Sequence, residues 1–419
     1  MIRNTNKRSA SKTAPLSLQA NTLWNAAGCL FYLGCQWLTT VLVVRLSANY
    51  ENSGALAFAM ANGIIFASIG LYKIRTFQVS DLKGAYSNQE YIGFRILTIA
   101  LGLLWSAIYL PLTASNDMAL LTAAVAYLVF KSDEVFSDVL YGVYQRNERM
   151  DYIGKSQLLR GVLSLTGFSA PLAMTGNLVM GIIGMALCCM AVTACYDLPH
   201  ATLFGAIAPS FSKAKMVSLL KVCCLAMLAS LCANSIVSAV RQYYGITYGS
   251  EALGIYASVA TPAVLIQVAA TYLYSPLIGS LAKTWQNNGM VAFRKEFLKV
   301  LLVIAFVIGV FIVCLSAVGN AALQLVFGAS IAPYTYLFPY VLIATGCVGV
   351  LLYVNDVLII LRKMKSILLC NAIALVAALG LAIPCTAMMD MNGINVSIIT
   401  GCLIAILFSL PIILGGKNK

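Results

Sequence analysis

The sequence predicts an all-α integral membrane protein with twelve transmembrane helices in two lobes of six. Three observations carry this. The mean hydropathy is +0.88, with 61% hydrophobic residues against 10% charged, far from the balance of a water-soluble domain. Runs of about 20 apolar residues recur from end to end, each able to cross a hydrocarbon layer roughly 30 Å thick. Lys and Arg are concentrated in alternate connections between those runs. Inside lipid every backbone amide needs a partner within its own segment, so each run is read as a helix.

The first run, 21–46, carries the polar stripe Asn25, Gly28, Tyr32, Gln36 and Thr39. It is too long for a signal-peptide core, and no small-x-small cleavage site follows it, so it is expected to remain as a helix. The Ala-rich run 54–72 comes next, then 91–111 with Arg95, and 118–145 with "VFKSDEVFSDVLYGVYQ". Runs 153–172, which holds Arg160, and 178–197 complete the first group. The connection 198–215 divides the chain into lobes 1–205 and 206–419. The second group comprises 216–241, 254–282, 298–317, 335–361, 366–386 and 395–415. Run 254–282 is interrupted by Thr261-Pro262 and Ser275-Pro276 and contains Gln267, Tyr272 and Tyr274. Neighbouring helices can satisfy the backbone groups that such prolines free.

Orientation follows from the cations. Loops 47–53, 112–117, 173–177, 242–253, 318–334 and 387–394 contain no Lys or Arg, whereas the termini and the other five loops hold 19 of the 27. This asymmetry places both termini in the cytoplasm and the chain in the cytoplasmic (inner) membrane. The net charge of +13 is then mostly a cytoplasmic face beside anionic lipid, and no nucleic-acid partner is needed to explain it. The thirteen Cys are scattered through apolar runs with no C-x-x-C and no Cys/His cluster, which reads as buried small residues without a disulfide framework or metal site. The single His200 sits at a helix end. No G-x-x-x-x-G-K-[ST] loop is present, so an ion or substrate gradient must supply energy.

The two groups resemble each other. "VVRLSANYENSGALAFAMAN" (43–62) and "AVRQYYGITYGSEALGIYASVA" (239–260) both read Val-Arg, a tyrosine-bearing loop and an Ala-rich run. "SDVLYGVYQRNERM" (137–150) and "NDVLIILRKMK" (355–365) both carry Asp-Val-Leu before a basic loop. The matches pair helix one with seven and four with ten, as an internal duplication would. Six helices preserve orientation, so the repeats would be parallel, with a binding site between them near the midplane.

Charges inside the apolar runs are the main functional signal, because each costs about 2.5–3.5 kcal/mol at a helix centre. Lys155, Lys221 and Lys299 lie near cytoplasmic ends and can snorkel. Arg45, Arg95, Lys131, Arg160 and Arg241 remain, with Asp133, Glu134, Asp138 and Asp356. In the fourth helix, Tyr127, Lys131, Glu134, Asp138, Tyr141 and Gln145 step by three or four and share one face. Lys131 and Glu134 form an i,i+3 pair. Asp138 then needs a cation from another helix, Arg95 or Arg160. Asp133 is offset from the stripe and reads as a packing or cap-side residue. The plainer alternative is an ion-pair network that only locks the bundle, and the Asn, Thr and Gly stripes are equally readable as helix-packing faces. Against this, hydrophobic replacements usually stabilise a bundle as well as buried charges do.

The segments 23–46, 74–95, 142–161 and 253–279 resemble the Wzx-type polysaccharide flippases of the multidrug/oligosaccharidyl-lipid/polysaccharide (MOP) exporter superfamily. The resemblance implies two six-helix lobes around a central cationic cavity. It implies transport, without enzymatic chemistry, of a polyprenyl-pyrophosphate-linked oligosaccharide from the cytoplasmic to the outer leaflet. Arg45, Arg95, Lys131, Arg160 and Arg241 would form the cationic path, since Arg matches phosphate with two fixed donors. Tyr127, Tyr141, Gln36, Gln267 and Tyr272 would line it, and Glu134, Asp138 and Asp356 would couple transport to Na+ or H+. No cofactor is expected. The expected partners are the lipid-linked cargo, membrane lipid and a glycan polymerase, with the chain itself a monomer. Two alternatives stay open. A MATE-like exporter of small cationic compounds would want acids dominating the cavity. A membrane glycan polymerase or ligase would need an outer loop with catalytic Arg or His, and the longest, 318–334, has neither.

Overall fold

The structure, a computed structural model, describes residues 14–81, 84–114 and 117–415. These residues form helices and contain no strand. The first six runs correspond to α1 (Leu18–Arg45), α2 (Glu51–Leu71) with its short continuation α3 (Ile74–Ser80), α4 (Asn88–Thr113), α5 (Met118–Arg146), α6 (Met150–Thr175) and α7 (Leu178–Val192). A single π-helical turn, Thr193–Asp197, joins α7 to the four-residue α8 (Leu198–Ala201). The remaining helices are α9 (Lys213–Tyr248), α10 (Ser250–Ala260), α11 (Val264–Phe327), α12 (Phe338–Ile360), α13 (Met364–Met389) and α14 (Met391–Leu414).

Among the described residues, eleven helical segments are long and apolar enough to cross a membrane, and α5 is not one of them. Every 18-residue window of α5 contains at least three of Lys131, Asp133, Glu134, Asp138 and Arg146. With α5 added, the twelve expected crossings are all helical. The helices start where local chemistry allows. Ser87 and Glu90 form a reciprocal capping box at α4, with Glu90 N–H to Ser87 Oγ at 3.2 Å and Ser87 N–H to Glu90 Oε2 at 2.8 Å. Asp117 caps α5 by accepting from the Ala119 and Leu120 amides at 2.9 and 3.2 Å.

Two connections expected as loops are largely helical. Residues 283–297 continue α11 except at Gly289, where φ is 76°, a conformation open to glycine that turns the chain between two spans. Residues 318–334 are α-helical to Phe327 and 3₁₀ from Ala329, and an i,i+4 bond from Gln324 Nε2 to Asn320 Oδ1 at 2.6 Å supports the last turns. A 3₁₀ turn, Thr261–Ala263, holds Pro262 between α10 and α11, as the proline interruption suggests.

By contacts the chain divides into two units. The first is Met1–Ser47 with Asn62–Met227, and the second is Ala48–Ala61 with Leu228–Lys419. In the first unit α1 packs along α6, and α7 packs on α5 and α6. The α1–α6 contact is close because small residues face each other: a Cβ on Gly28 would lie 2.5 Å from Gly154 Cα. An aromatic core that includes Tyr72, Tyr91, Phe94, Tyr141, Tyr144 and Tyr152 fills one end of this unit. Outside the spans, burial pushes the Asp81 carboxyl up, but the Ala85 and Tyr86 amides, the Tyr91 hydroxyl and the Arg146 charge outweigh it and hold it below its usual value. In the second unit α13 packs on α14, and α12 on α11 and α14.

Candidate functional site

The site lies in the first unit and is organised by α5. Helical spacing turns Lys131, Glu134, Asp138 and Tyr141 to one side, and Asp133 with Ser137 toward α6 and the π turn. Three charged groupings result.

The first is centred on Asp138. Arg95, from α4, donates to Asp138 Oδ2 at 2.6 Å and to the Gly70 carbonyl at 2.5 Å. Thr98 also donates to that carbonyl, at 2.7 Å. Arg75, from α3, donates to Asp138 Oδ1 at 3.1 Å and to Gln145 Oε1 at 3.1 Å, and its guanidinium lies 5.8 Å from the centre of the Tyr141 ring. The Arg95 side chain is fully buried, whereas those of Arg75 and Asp138 are 28% and 20% exposed.

The second is centred on Arg160 of α6. Its guanidinium donates to Asp133 Oδ2 at 2.7 Å and to Asp197 Oδ2 at 3.1 Å, and to the Ser137 and Thr193 hydroxyls. Thr193 in turn donates to Asp133 Oδ1 at 2.5 Å. The π turn supplies both Thr193 and Asp197. Arg160 and Asp197 are buried.

The third is the Lys131–Glu134 pair, 2.6 Å apart, with Glu134 also accepting the Tyr32 hydroxyl of α1. Lys131 and Glu134 are 23% and 19% exposed. A cavity of about 220 Å³ runs along these groups, lined by Tyr32, Arg75, Lys131, Glu134, Asp138 and Arg160 among others. That is far above the roughly 15 Å³ a single water needs.

The structure therefore brings Lys131 and Arg160 to one cavity with Glu134, Asp138 and Tyr141. It does not assemble the other expected members there. Arg95 sits sealed behind Asp138. Arg45 is exposed at the end of α1 and does not line this cavity. Tyr127 packs its ring on Phe130 and against Gly63, and Gln36 donates to Ser164 at 3.3 Å. Arg241, Gln267 and Asp356 belong to the second unit. There Arg241 lies over the Tyr256 ring at 5.5 Å, and Tyr274 donates to Asp356 at 3.1 Å. Gln267 is half-buried on α11, and the side chain of Tyr272 lies outside the described residues. Among the candidate partners for Asp138, the structure selects Arg95 and adds Arg75. Asp133, read as a packing residue, is instead a partner of Arg160.

Arg75 and Asp197 were missed. Both sit at ends of apolar runs, where a charge looks like a loop or cap residue. Arg75 is drawn in because the second helix continues as α3 beyond Tyr72 and Lys73, which both adopt positive φ, 50° and 55°. The four cations Arg75, Arg95, Lys131 and Arg160 each meet a carboxylate from Asp133, Glu134, Asp138 or Asp197. The described part of the site is thus balanced in charge, not predominantly cationic.

No family model matches the chain. One curated relative, the capsular polysaccharide biosynthesis protein CapF of Staphylococcus aureus, is 26% identical over 298 residues, covering 70% of this chain and 73% of CapF. Among solved structures, the lipid II flippase MurJ in an inward closed conformation aligns with a TM-score of 0.71 at 11% identity, covering 93% of this chain and 87% of MurJ. An inward-facing multidrug resistance MATE family transporter of the MOP superfamily gives 0.65 at 14%, covering 89% and 92%. A MATE transporter of Vibrio cholerae, VcmN, gives 0.62 at 12%, covering 99% of both chains. The chain has the fold that these multi-pass membrane transporters share.

Proposed function

We propose that the chain is a Wzx-type flippase that moves a polyprenyl-pyrophosphate-linked oligosaccharide from the cytoplasmic to the outer leaflet. The fold, shared with a lipid II flippase, and the similarity to a capsule-biosynthesis protein support this reading. The observation that carries it is the cavity itself: Arg75, Lys131 and Arg160 face a space of about 220 Å³ inside an otherwise apolar bundle. A diphosphate leaving water needs such donors, and Arg offers two in fixed geometry.

The carboxylates on the same wall neutralise these cations between transport cycles. Glu134 and Asp138 are the groups through which Na+ or H+ would couple, with Asp356 in the second unit. Movement would follow alternating access, with the sugar-bearing headgroup in the protein and the lipid tail in the bilayer. Both termini would face the cytoplasm, and the monomer would deliver cargo to a glycan polymerase in the outer leaflet. The second reading, export of small cationic compounds, draws on Glu134 and Asp138 lining the cavity beside the cations.

Expression in a bacterium deleted for its own repeat-unit flippase separates the two. Restored surface glycan that disappears in Lys131→Gln, with lipid-linked repeat units accumulating in the inner leaflet, supports the flippase. Absent glycan together with gained resistance to cationic dyes overturns it in favour of the exporter.

A further inference from the structure

We infer that Arg75 is an exchangeable ligand: Asp138 holds it while the cavity is empty, and an entering diphosphate takes it over. This rests on the flippase reading and adds to it the residue that first engages the cargo. The two arginines on Asp138 are not equivalent. Arg95 is fully buried, makes the shorter contact at 2.6 Å, and is also tethered to the Gly70 carbonyl. Arg75 is 28% exposed, sits 3.1 Å from the other carboxylate oxygen, and forms part of the cavity wall.

If Arg75 leaves, Asp138 keeps Arg95 and is not stranded as a bare buried carboxylate, the outcome that makes breaking an ion pair costly. If Arg95 left, it would abandon both of its acceptors in an enclosed site. A diphosphate carries more charge than a carboxylate already shared between two cations, so it competes well for the second guanidinium. The remaining tethers of Arg75 suit an exchange. Gln145 Oε1 at 3.1 Å is neutral, and the Tyr141 ring lies 5.8 Å from the guanidinium. Arg75 is also the second residue of a separate seven-residue helix that starts just after the strained pair Tyr72 and Lys73, so it is not rigidly continuous with α2. On this account Asp138 presets the guanidinium near the cavity and screens it from stray anions, while Arg95 remains its partner when Arg75 departs.

The test uses the full chain purified in detergent, with farnesyl pyrophosphate as probe and farnesol as the uncharged control. Arg75→Gln should weaken farnesyl pyrophosphate binding about tenfold, the order expected for a lost charged hydrogen bond. Arg75→Lys should weaken it less, because a point charge replaces the fork. Farnesol binding should not change in either. Asp138→Asn should tighten farnesyl pyrophosphate binding several-fold by releasing Arg75, and that gain should vanish in Arg75→Gln/Asp138→Asn. Should Asp138→Asn fail to fold, Gln145→Leu loosens Arg75 without touching the carboxylate and should tighten binding about twofold. Equal affinity of wild type and Arg75→Gln, or a gain from Asp138→Asn that persists without Arg75, overturns the exchange. Those results leave the flippase reading intact. A wild-type protein that binds farnesyl pyrophosphate no better than farnesol overturns both.

Discussion

Arg160 answers to two carboxylates and two hydroxyls, and its removal is a measurable test of what holds the first unit together. In Arg160→Gln, Asp133 and Asp197 lose their common cation while 7% and 0% exposed. Removing one partner of a buried ion pair costs about 3–5 kcal/mol because the other charge is left uncompensated. At about 2–4 °C per kcal/mol for a unit of this size, the melting temperature should fall by about 6–20 °C. The protein provides its own reporter. Cys35, Cys189, Cys223, Cys370 and Cys402 are buried free thiols, so a thiol-reactive fluorophore in detergent follows their emergence on heating. The triple change Arg160→Gln, Asp133→Asn, Asp197→Asn removes the stranded charges and should recover most of the loss. A single Arg160→Gln variant that melts within about 2 °C of wild type refutes the reasoning, as does a triple variant no more stable than the single one.

Three further outcomes follow from other contacts. Gly154→Leu would drive a side chain toward the Trp24 carbonyl, which lies only 2.3 Å from an ideal Cβ, so it should destabilise the α1–α6 contact by about 1–3 kcal/mol or abolish folding in the same thermal assay. Lys131→Met leaves Glu134 with Tyr32 alone; the cost should fall between the roughly 1 kcal/mol of an exposed pair and roughly 3 kcal/mol of a buried one. Lys131→Met/Glu134→Gln should regain stability without regaining surface glycan in the complementation strain. The lowered carboxyl of Asp81 contributes stability that is fully present above its unfolded value of about 3.9 and is lost as pH falls through its lower folded value. Asp81→Asn should therefore melt below wild type at pH 7, with the gap closing in acid below pH ~4; a gap independent of pH would remove the ionised carboxylate from the account.

The sequence made the helices legible because a spanning segment must satisfy its backbone locally and match the thickness of the bilayer. The same physics exposed α5 by its charges, and i,i+3 spacing alone placed Lys131 beside Glu134. Partners from other helices were harder to read. Asp138 visibly needed a cation, yet nothing in the sequence distinguished Arg95 from Arg160, and the rotation of α5 that turns Asp133 toward Arg160 is set by tertiary packing. Asp197 depends on the extra residue of a π turn, which leaves no period in an apolar run. Arg75 depended on helix continuing where the basic composition suggested a loop.

The four charges within the apolar run of α5, Lys131, Asp133, Glu134 and Asp138, also bear on how the chain is made. A segment this polar partitions poorly into lipid by itself. Synthesis proceeds from the N-terminus, so Arg75 and Arg95 already exist when Asp138 leaves the ribosome, and Lys131 arrives just ahead of Glu134. Asp133 has no such predecessor: its cation is 27 residues further on. Stable insertion of α5 must then wait for α6, and a chain truncated between them would present an orphan carboxylate to the membrane and to quality-control proteases.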